Sequence, residues 1–395
     1  MGPHRVRPTK VGDGAVIVIA SSASFNLFER PNGARGIRNH LAVVSTVVCS
    51  NVVATKIAQS LQAEVIAHDA GCLQLGQDRR RTVDLLVGIA SSPNVGAALL
   101  VGLGCEQQPP ETIVSAVRQK RLNHLTIQGS GGTSSAVDSG VEEARSLTAS
   151  MTNTQMVPGT WSDLTVAFRV SDDLPETNSK ISQAFGALVD FLAGLNATII
   201  IAETWPFIAE PQFVADMFDD PQQRERWLSI ADERATQLED LGAAYALSHT
   251  SPPKHNTDGS TSGPLQRLGT RGLRGVLEYG EIPTGPGVWL MDSPREDLFV
   301  GAGLITAGTH VLIHGSTRPS LYSPPVLPVL KVAGSAKTYS AMPDVYDVDA
   351  SVDLDMDAIS QRILLSLEEV VAGAKTSSER WAGQELAIPR IGATL

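Results

Sequence analysis

From residue 41 onward, short β-branched apolar runs alternate with longer stretches of helical character, the pattern of βαβ units laid on a parallel sheet. Few other architectures can absorb that rhythm. Strands are expected at 41–48, 64–68, 97–102 and 125–128, with helices near 51–62, 79–89, 110–120 and 134–149. The motif TNTQMVPGTWSD then breaks the rhythm, which resumes at a strand over 164–170. A helix at 185–195, an apolar strand at 197–202 and amphipathic helices over 211–241 follow. The polar tract 249–264 is too long for a simple connection. Strands at 288–291, 309–314 and 329–332 and a helix at 356–371 complete the reading. The fold expected is α/β: two domains with mainly parallel sheets flanked by helices, comprising an N-terminal segment 1–24, a first domain 25–155 and a second domain 156–395.

Composition narrows the function. With 31 basic against 42 acidic residues the chain carries a net charge of −11, which opposes binding to nucleic acid. The apolar run at 15–20 is too short for a signal core and reads as a strand, and no run reaches the ~20 apolar residues that span a bilayer. An odd count of 3 cysteines does not form a disulfide framework and points to a reducing, cytoplasmic setting.

Each cysteine falls just past an expected strand: Cys49 after LAVVSTVV, Cys72 one turn after EVIAH, and Cys105 after ALLVGLG. The carboxyl ends of parallel strands share one edge, so thiols far apart in sequence can meet there. Helices starting nearby would lower their thiolate pKa and favour metal ligation or anion binding. Three thiolates suit an iron centre with an open position, ferrous ion or a 4Fe-4S cluster, with His68 as a further ligand. The alternative is that the thiols pack as small hydrophobes.

Other candidates are spread along the chain. The tract ERPNGARGIRNH sets Arg35, Arg38 and Asn39 around glycines, where guanidinium groups can grip a carboxylate. In the turn GSGGTSS, Gly131, Gly132 and Thr133 could cradle an anion, but neither a nucleotide-phosphate loop nor GxGxxG is present. No Gly-x-Ser-x-Gly elbow or zinc-protease helix occurs. His314, ending an apolar strand, is a candidate acid–base group, as is Glu203 at the end of ATIIIA; structural packing and helix capping are their alternative roles. Lys254 and His255 in the polar tract are further candidate bases.

Taken together, RPNGARGIRNH, STVVCSN, HDAGCLQ, SSPNVGAALLVGLGCE, GSGGT, AETWPFIAE, WLMDSPRED, LPVLKV and SERWAGQELAI resemble the altronate dehydratase and D-galactarate dehydratase family, which includes the large subunit of sulfolactate sulfo-lyase. All three cysteines fall on its motif positions. The resemblance implies an iron-dependent lyase carrying out β-elimination on a small anionic hydroxy acid, with carbon–sulfur cleavage of a sulfolactate-like substrate as one alternative. It implies a separate small subunit in place of the small N-terminal domain of full-length members, and a homo-oligomer is expected. The second half departs from the pattern. AFRVSDD stands where the family has Cys-Gly-Gly-Ser-Asp and retains only Ser171 and Asp172, while TSPPKHN, LQRLG and IHGSTRP replace three other motifs. A second alternative is therefore a catalytically degenerate homologue that binds a small acid or scaffolds a partner.

Overall fold

The structure is a computed structural model of the 395-residue chain that describes residues 24–117, 121–171, 178–240, 263–351, 355–381 and 385–390. The expected strand at 15–20 and the candidate bases Lys254 and His255 lie outside the described residues.

Two parallel sheets dominate. The first has the order β4-β3-β5-β6, built from β3 (His40–Ser45), β4 (Glu64–Ile66), β5 (Val95–Gly102) and β6 (Leu122–Thr126). Its helices are α1 (Asn51–Leu61), α2 (Gly76–Ala90), α3 (Pro110–Ala116) and α4 (Thr133–Met151). The second sheet has seven strands in the order β10-β11-β9-β8-β12-β13-β14. These are β8 (Thr165–Val170), β9 (Thr198–Ile201), β10 (Gly275–Leu277), β11 (Gly287–Met291), β12 (Val311–Ser316), β13 (Val329–Ala333) and β14 (Val348–Asp349). Its helices are α5 (Asn178–Gly194), α6 (Pro211–Asp216), α7 (Pro221–Asp240), α8 (Asp297–Thr306), α9 (Ala336–Ala341), α10 (Met356–Val371) and α11 (Ser377–Trp381). A small antiparallel sheet pairs β1 (Phe25–Glu29) with β2 (Arg35–Gly36) and β7 (Met156–Gly159).

The strand pleat explains the layering. On the first sheet Val43, Leu99 and Val101 face one way, onto α1 and α4, while Ala42, Val44 and Leu100 face the other. That second set shares a core with Leu85, Leu86 and Ile89 of α2, with Val300, Leu304 and Ile305 of α8, and with Ala167, Ile200 and Leu312 of the second sheet. Helices α2 and α8 therefore form a layer common to both sheets. They approach so closely that a Cβ on Gly88 would sit 2.3 Å from the Thr306 side chain. The outer face of the second sheet, Phe168, Ile199 and Ile313, packs under α5 and α10. Both faces of each sheet are covered, which is why the strands read as unbroken apolar runs. Among the described residues no helix is long and apolar enough to cross a membrane.

Candidate functional site

All strands of the first sheet are parallel, so the loops at their carboxyl ends share one rim. Across that rim lie Cys72 after β4, Cys49 after β3, Cys105 after β5 and the glycine-rich turn after β6. All three thiols are exposed.

Hydrogen bonds stitch the cysteine loops together. The Val48 amide beside Cys49 donates to Ala70 O (2.9 Å), and Asn51 Nδ2 donates to His68 O (2.8 Å). Glu106, which follows Cys105, accepts from the Thr46 hydroxyl (3.0 Å) and the Leu103 amide (3.1 Å). Gly71 has φ +98°, and a Cβ there would meet Thr46 O at 2.7 Å, so the Cys72 turn rests directly on the backbone before Cys49. Two buried polar atoms of this rim, Asn51 Oδ1 and Gln74 Nε2, have no hydrogen-bond partner among the described residues. An unsatisfied buried polar atom costs about 1–3 kcal/mol and is a sign of an interaction made with something else.

The rim thus offers three thiols on adjacent, cross-bonded loops, and sulfur ligands suit a soft or borderline metal such as iron. Among the described residues, however, no three His, Cys, Asp or Glu side chains stand close enough together to hold a metal ion. His68 has both ring nitrogens committed, Nδ1 accepting from the Ala70 amide (3.1 Å) and Nε2 donating to Ser45 O (2.8 Å). Burial holds its pKa below the ordinary value. In that tautomer the ring has no lone pair left for a metal.

At the corresponding edge of the second sheet, three ionisable side chains interrupt apolar strands. Arg169 on β8, His314 on β12 and Lys331 on β13 sit side by side in register. Their exposures are 4%, 1% and 2%. Asp297, in the first turn of α8, accepts from Arg169 Nε (2.7 Å). The Ser171 hydroxyl lies 2.8 Å from both Asp297 carboxylate oxygens and also meets His314 Nε2. With one hydrogen to give, Ser171 donates to the carboxylate and accepts from His314 Nε2–H, a chain running His314 to Ser171 to Asp297.

Burial pushes His314 down to about 4; Asp297 opposes that shift, while Arg169 and Lys331 reinforce it. The ring is therefore neutral near pH 7. Burial favours the neutral carboxyl of Asp297, but the His314 and Arg169 charges and the Arg169 and Ser171 hydrogen bonds outweigh it and hold the group below the ordinary carboxylate range. At neutral pH that charge comes from Arg169, since His314 is uncharged. Burial lowers Lys331 to about 8, and its Nζ donates to Ser320 O (3.0 Å).

Above this cluster opens a cavity of about 820 Å³ whose walls include Ser171, Arg295, Asp297, Arg318, Ser320 and Glu385. A wider cleft of about 1190 Å³ separates Arg80 and Arg81 of α2 from Trp205, Arg234 and Asp292. Residues 385–390 line both spaces, and Arg390 Nη2 at their end donates to Asp69 O (2.6 Å) beside the Cys72 turn. One short segment thus links the cavity at the carboxyl edge of the second sheet to the loop after β4 of the first.

The remaining sequence candidates fall elsewhere. Arg35, Arg38 and Asn39 precede β3 and lie at the amino end of the sheet, opposite the thiols. Arg38 is 8% exposed and grips Glu379 with Nε (2.6 Å) and Nη2 (2.9 Å), and it donates further to Val370 O (3.0 Å) and Ala374 O (2.7 Å). Arg35 pairs with Asp163 at 2.8 Å, and Asn39 Oδ1 accepts from Arg30 (2.6 Å). These side chains clamp the fold and are not gathered with the thiols. Glu203 lies two residues past the end of β9 and is paired with Arg267 at 2.5 Å, the two side chains being 5% and 1% exposed. Gly131 and Gly132, at φ +79° and +126°, stand on the thiol rim at the start of α4, next to Thr133, with open space where a Cβ would be. Arg169, Asp297, Lys331 and Arg318 were not singled out by sequence reasoning. The signal available for Lys331 and Arg169 was a charge inside an otherwise apolar strand.

Residues 27–152 match the family described as D-galactarate dehydratase/altronate hydrolase, second domain, and residues 177–394 match D-galactarate/altronate dehydratase, C-terminal. The chain is similar to an altronate dehydratase of Bacillus subtilis, 24% identical over 402 residues that cover 94% of this chain and 78% of that protein. It is 25% identical over 381 residues to subunit beta of (2R)-sulfolactate sulfo-lyase of Chromohalobacter salexigens, covering 92% of this chain and 96% of that subunit. A galactarate dehydratase (L-threo-forming) of Escherichia coli is 21% identical over 312 residues, 74% of this chain and 60% of that protein.

Proposed function

The chain belongs to the D-galactarate/altronate dehydratase family, and from that premise we propose that it is a hydro-lyase eliminating water from a hydroxylated carboxylic acid of the sugar-acid class. The observation that carries this reading is the delivery of Cys72, Cys49 and Cys105 to one rim by three adjacent parallel strands whose loops are bonded to one another. Iron held by Cys49, Cys72 and Cys105 would supply Lewis-acid polarisation of a hydroxyl leaving group, but the three thiols would first have to draw together, since as placed they do not stand near enough to share one ion. The buried row of the second sheet supplies groups that can hold or move protons, His314 among them. The overall change is loss of a proton from the carbon beside the carboxylate and of hydroxide from the next carbon, giving water and an enol that becomes a 2-oxo acid.

Carbon–sulfur cleavage is the second reading, favoured by the match over 96% of a sulfo-lyase subunit. That subunit's name also supports a companion small chain for this one. Anaerobic purification, loading with ferrous iron and incubation with D-altronate, galactarate or sulfolactate tests both readings. Release of 2-oxo acid without sulfite supports the first and sulfite release the second; iron-loaded protein that releases neither sinks both. Turnover that survives Cys72→Ser would remove the thiol rim from the chemistry.

A further inference from the structure

The costliest feature of the second sheet is its buried row of Arg169, His314 and Lys331, and sheet packing alone gives no reason to place three ionisable groups between apolar strands. Two of the three converge on Asp297 and Ser171, and the Ser171 hydroxyl and Asp297 carboxylate form part of a cavity wall. Such clusters beneath a cavity mark functional sites more often than structural ones.

We propose that the cavity over Ser171 binds a small polyhydroxy carboxylate, whose carboxylate meets Arg318 and Arg295 and whose hydroxyls meet the Ser171–Asp297 pair. The proposal rests on the reading that this chain acts on such acids, and it adds where they sit and which side chains select them. The wall chemistry separates ligand classes. Arg295 and Arg318 disfavour a free cation, while Glu296, Asp297 and Glu385 disfavour a phosphate group or a second bulky anion. A ligand with one anionic end and several hydroxyls satisfies both sets, because guanidinium takes a carboxylate in fork geometry and carboxylates accept from hydroxyls. The volume of about 820 Å³ lies within the usual range for small-molecule sites.

Arg169 acts here as a positioning residue. Its Nε fixes Asp297, and Nη1 and Nη2 are tied to Ala202 O and Arg295 O, so Asp297 keeps its charge and its orientation toward Ser171. No cysteine is among the residues that line the pocket. Residues 385–390 run from the cavity wall to the Asp69 contact, a reach of at most about 20 Å for an extended chain of that length. With no thiol in its wall, the pocket is expected to bind the acid whether or not Cys72 is present.

Isothermal titration of the full-length chain with galactarate, D-altronate and the uncharged polyol galactitol tests this. Wild type and Cys72→Ser should bind at least one acid alike and ignore galactitol. Arg318→Gln, an exposed change, should weaken binding by about tenfold or more with an unaltered melting curve. Ser171→Ala should weaken binding as much while lowering the melting temperature, since the buried His314 Nε2–H loses its acceptor, and Arg169→Lys should weaken binding less than Arg169→Met. Normal acid binding by Arg318→Gln and Ser171→Ala, equal binding of galactitol, or no acid binding by wild type would each overturn the proposal. If the variants lose binding but iron-loaded wild type turns over neither acid, the hydro-lyase reading fails and the pocket stands. If turnover is present but the variants bind normally, the pocket fails and the hydro-lyase reading stands.

Discussion

Lowering the pH from 7 to 5 should destabilise this fold steeply, because it buries neutral imidazoles that the unfolded chain would protonate. His310 is 5% exposed, its Nε2 donating to Arg35 O (2.7 Å) and its Nδ1 accepting from the Thr165 amide (2.9 Å). The second of these requires the neutral ring, because a protonated Nδ1 could not accept from the Thr165 amide. Burial pushes His310 and His314 each from 6.5 to about 4. Between those values the unfolded chain binds more protons than the folded one, so stability present above 6.5 is lost as pH falls. Integrating from pH 7 to 5 gives about 2 kcal/mol per histidine and about 4 kcal/mol for the pair. His40, also lowered to about 4 by burial, adds a loss of the same sign. Asp347, raised by burial, works in the opposite direction, whereas Asp297 and Glu379 lose their contribution only at lower pH. Urea unfolding at pH 7, 6 and 5 measures the total, and NMR of ring-labelled histidine assigns it. His314→Phe should remove about half of the pair's share. A loss below about 1 kcal/mol, or imidazoles of His310 and His314 that titrate near 6.5, would refute the argument.

The alkaline side should run the other way. Lys331 at about 8 sheds its proton in the folded state well before the unfolded lysine does, so stability should rise by about 2 kcal/mol from pH 7.5 to 9.5, an increase that Lys331→Met abolishes in urea melts. Removing the Arg38 clamp by Arg38→Met takes the counter-ion from Glu379, a carboxylate with 15% side-chain exposure that keeps only its Thr376 hydrogen bonds, and removes a donor from Val370 O and Ala374 O; the expected cost is about 3–5 kcal/mol, read from urea midpoints. Gly71→Ala must displace the Cys72 turn from Thr46 and should cost about 1–3 kcal/mol while changing the rate at which a thiol reagent modifies Cys72 and Cys49. Unchanged thiol kinetics in that variant would mean that the two turns are not coupled.

The parallel sheets were readable because their strands are covered on both faces and so appear as unbroken apolar runs such as VGAALLVG in β5 and TIII in β9; the helix expected at 356–371 has the observed bounds of α10. The small sheet was not readable. Its strands β2 and β7 are two and four residues long, with Pro158 inside β7 and two of the four β7 residues exposed, too little for a period to show. Helix α8 was missed for the opposite reason: DLFVGAGLIT is apolar on every side because it lies between two sheets, and an all-round apolar segment has no helical stripe to detect. The thiol rim could be anticipated, since a residue just past a parallel strand must lie at the carboxyl edge whatever the order of strands. The Ser171–Asp297–His314 cluster could not. Asp297 is 126 residues from Ser171 and His314 is 143, and their meeting depends on β12 being inserted beside β8 in a sheet whose order is not the order of the chain. Sequence placed His314 at a strand end; only topology supplied its partners, and those partners, by burying and surrounding it, determine that its ring is neutral where an exposed imidazole would begin to titrate.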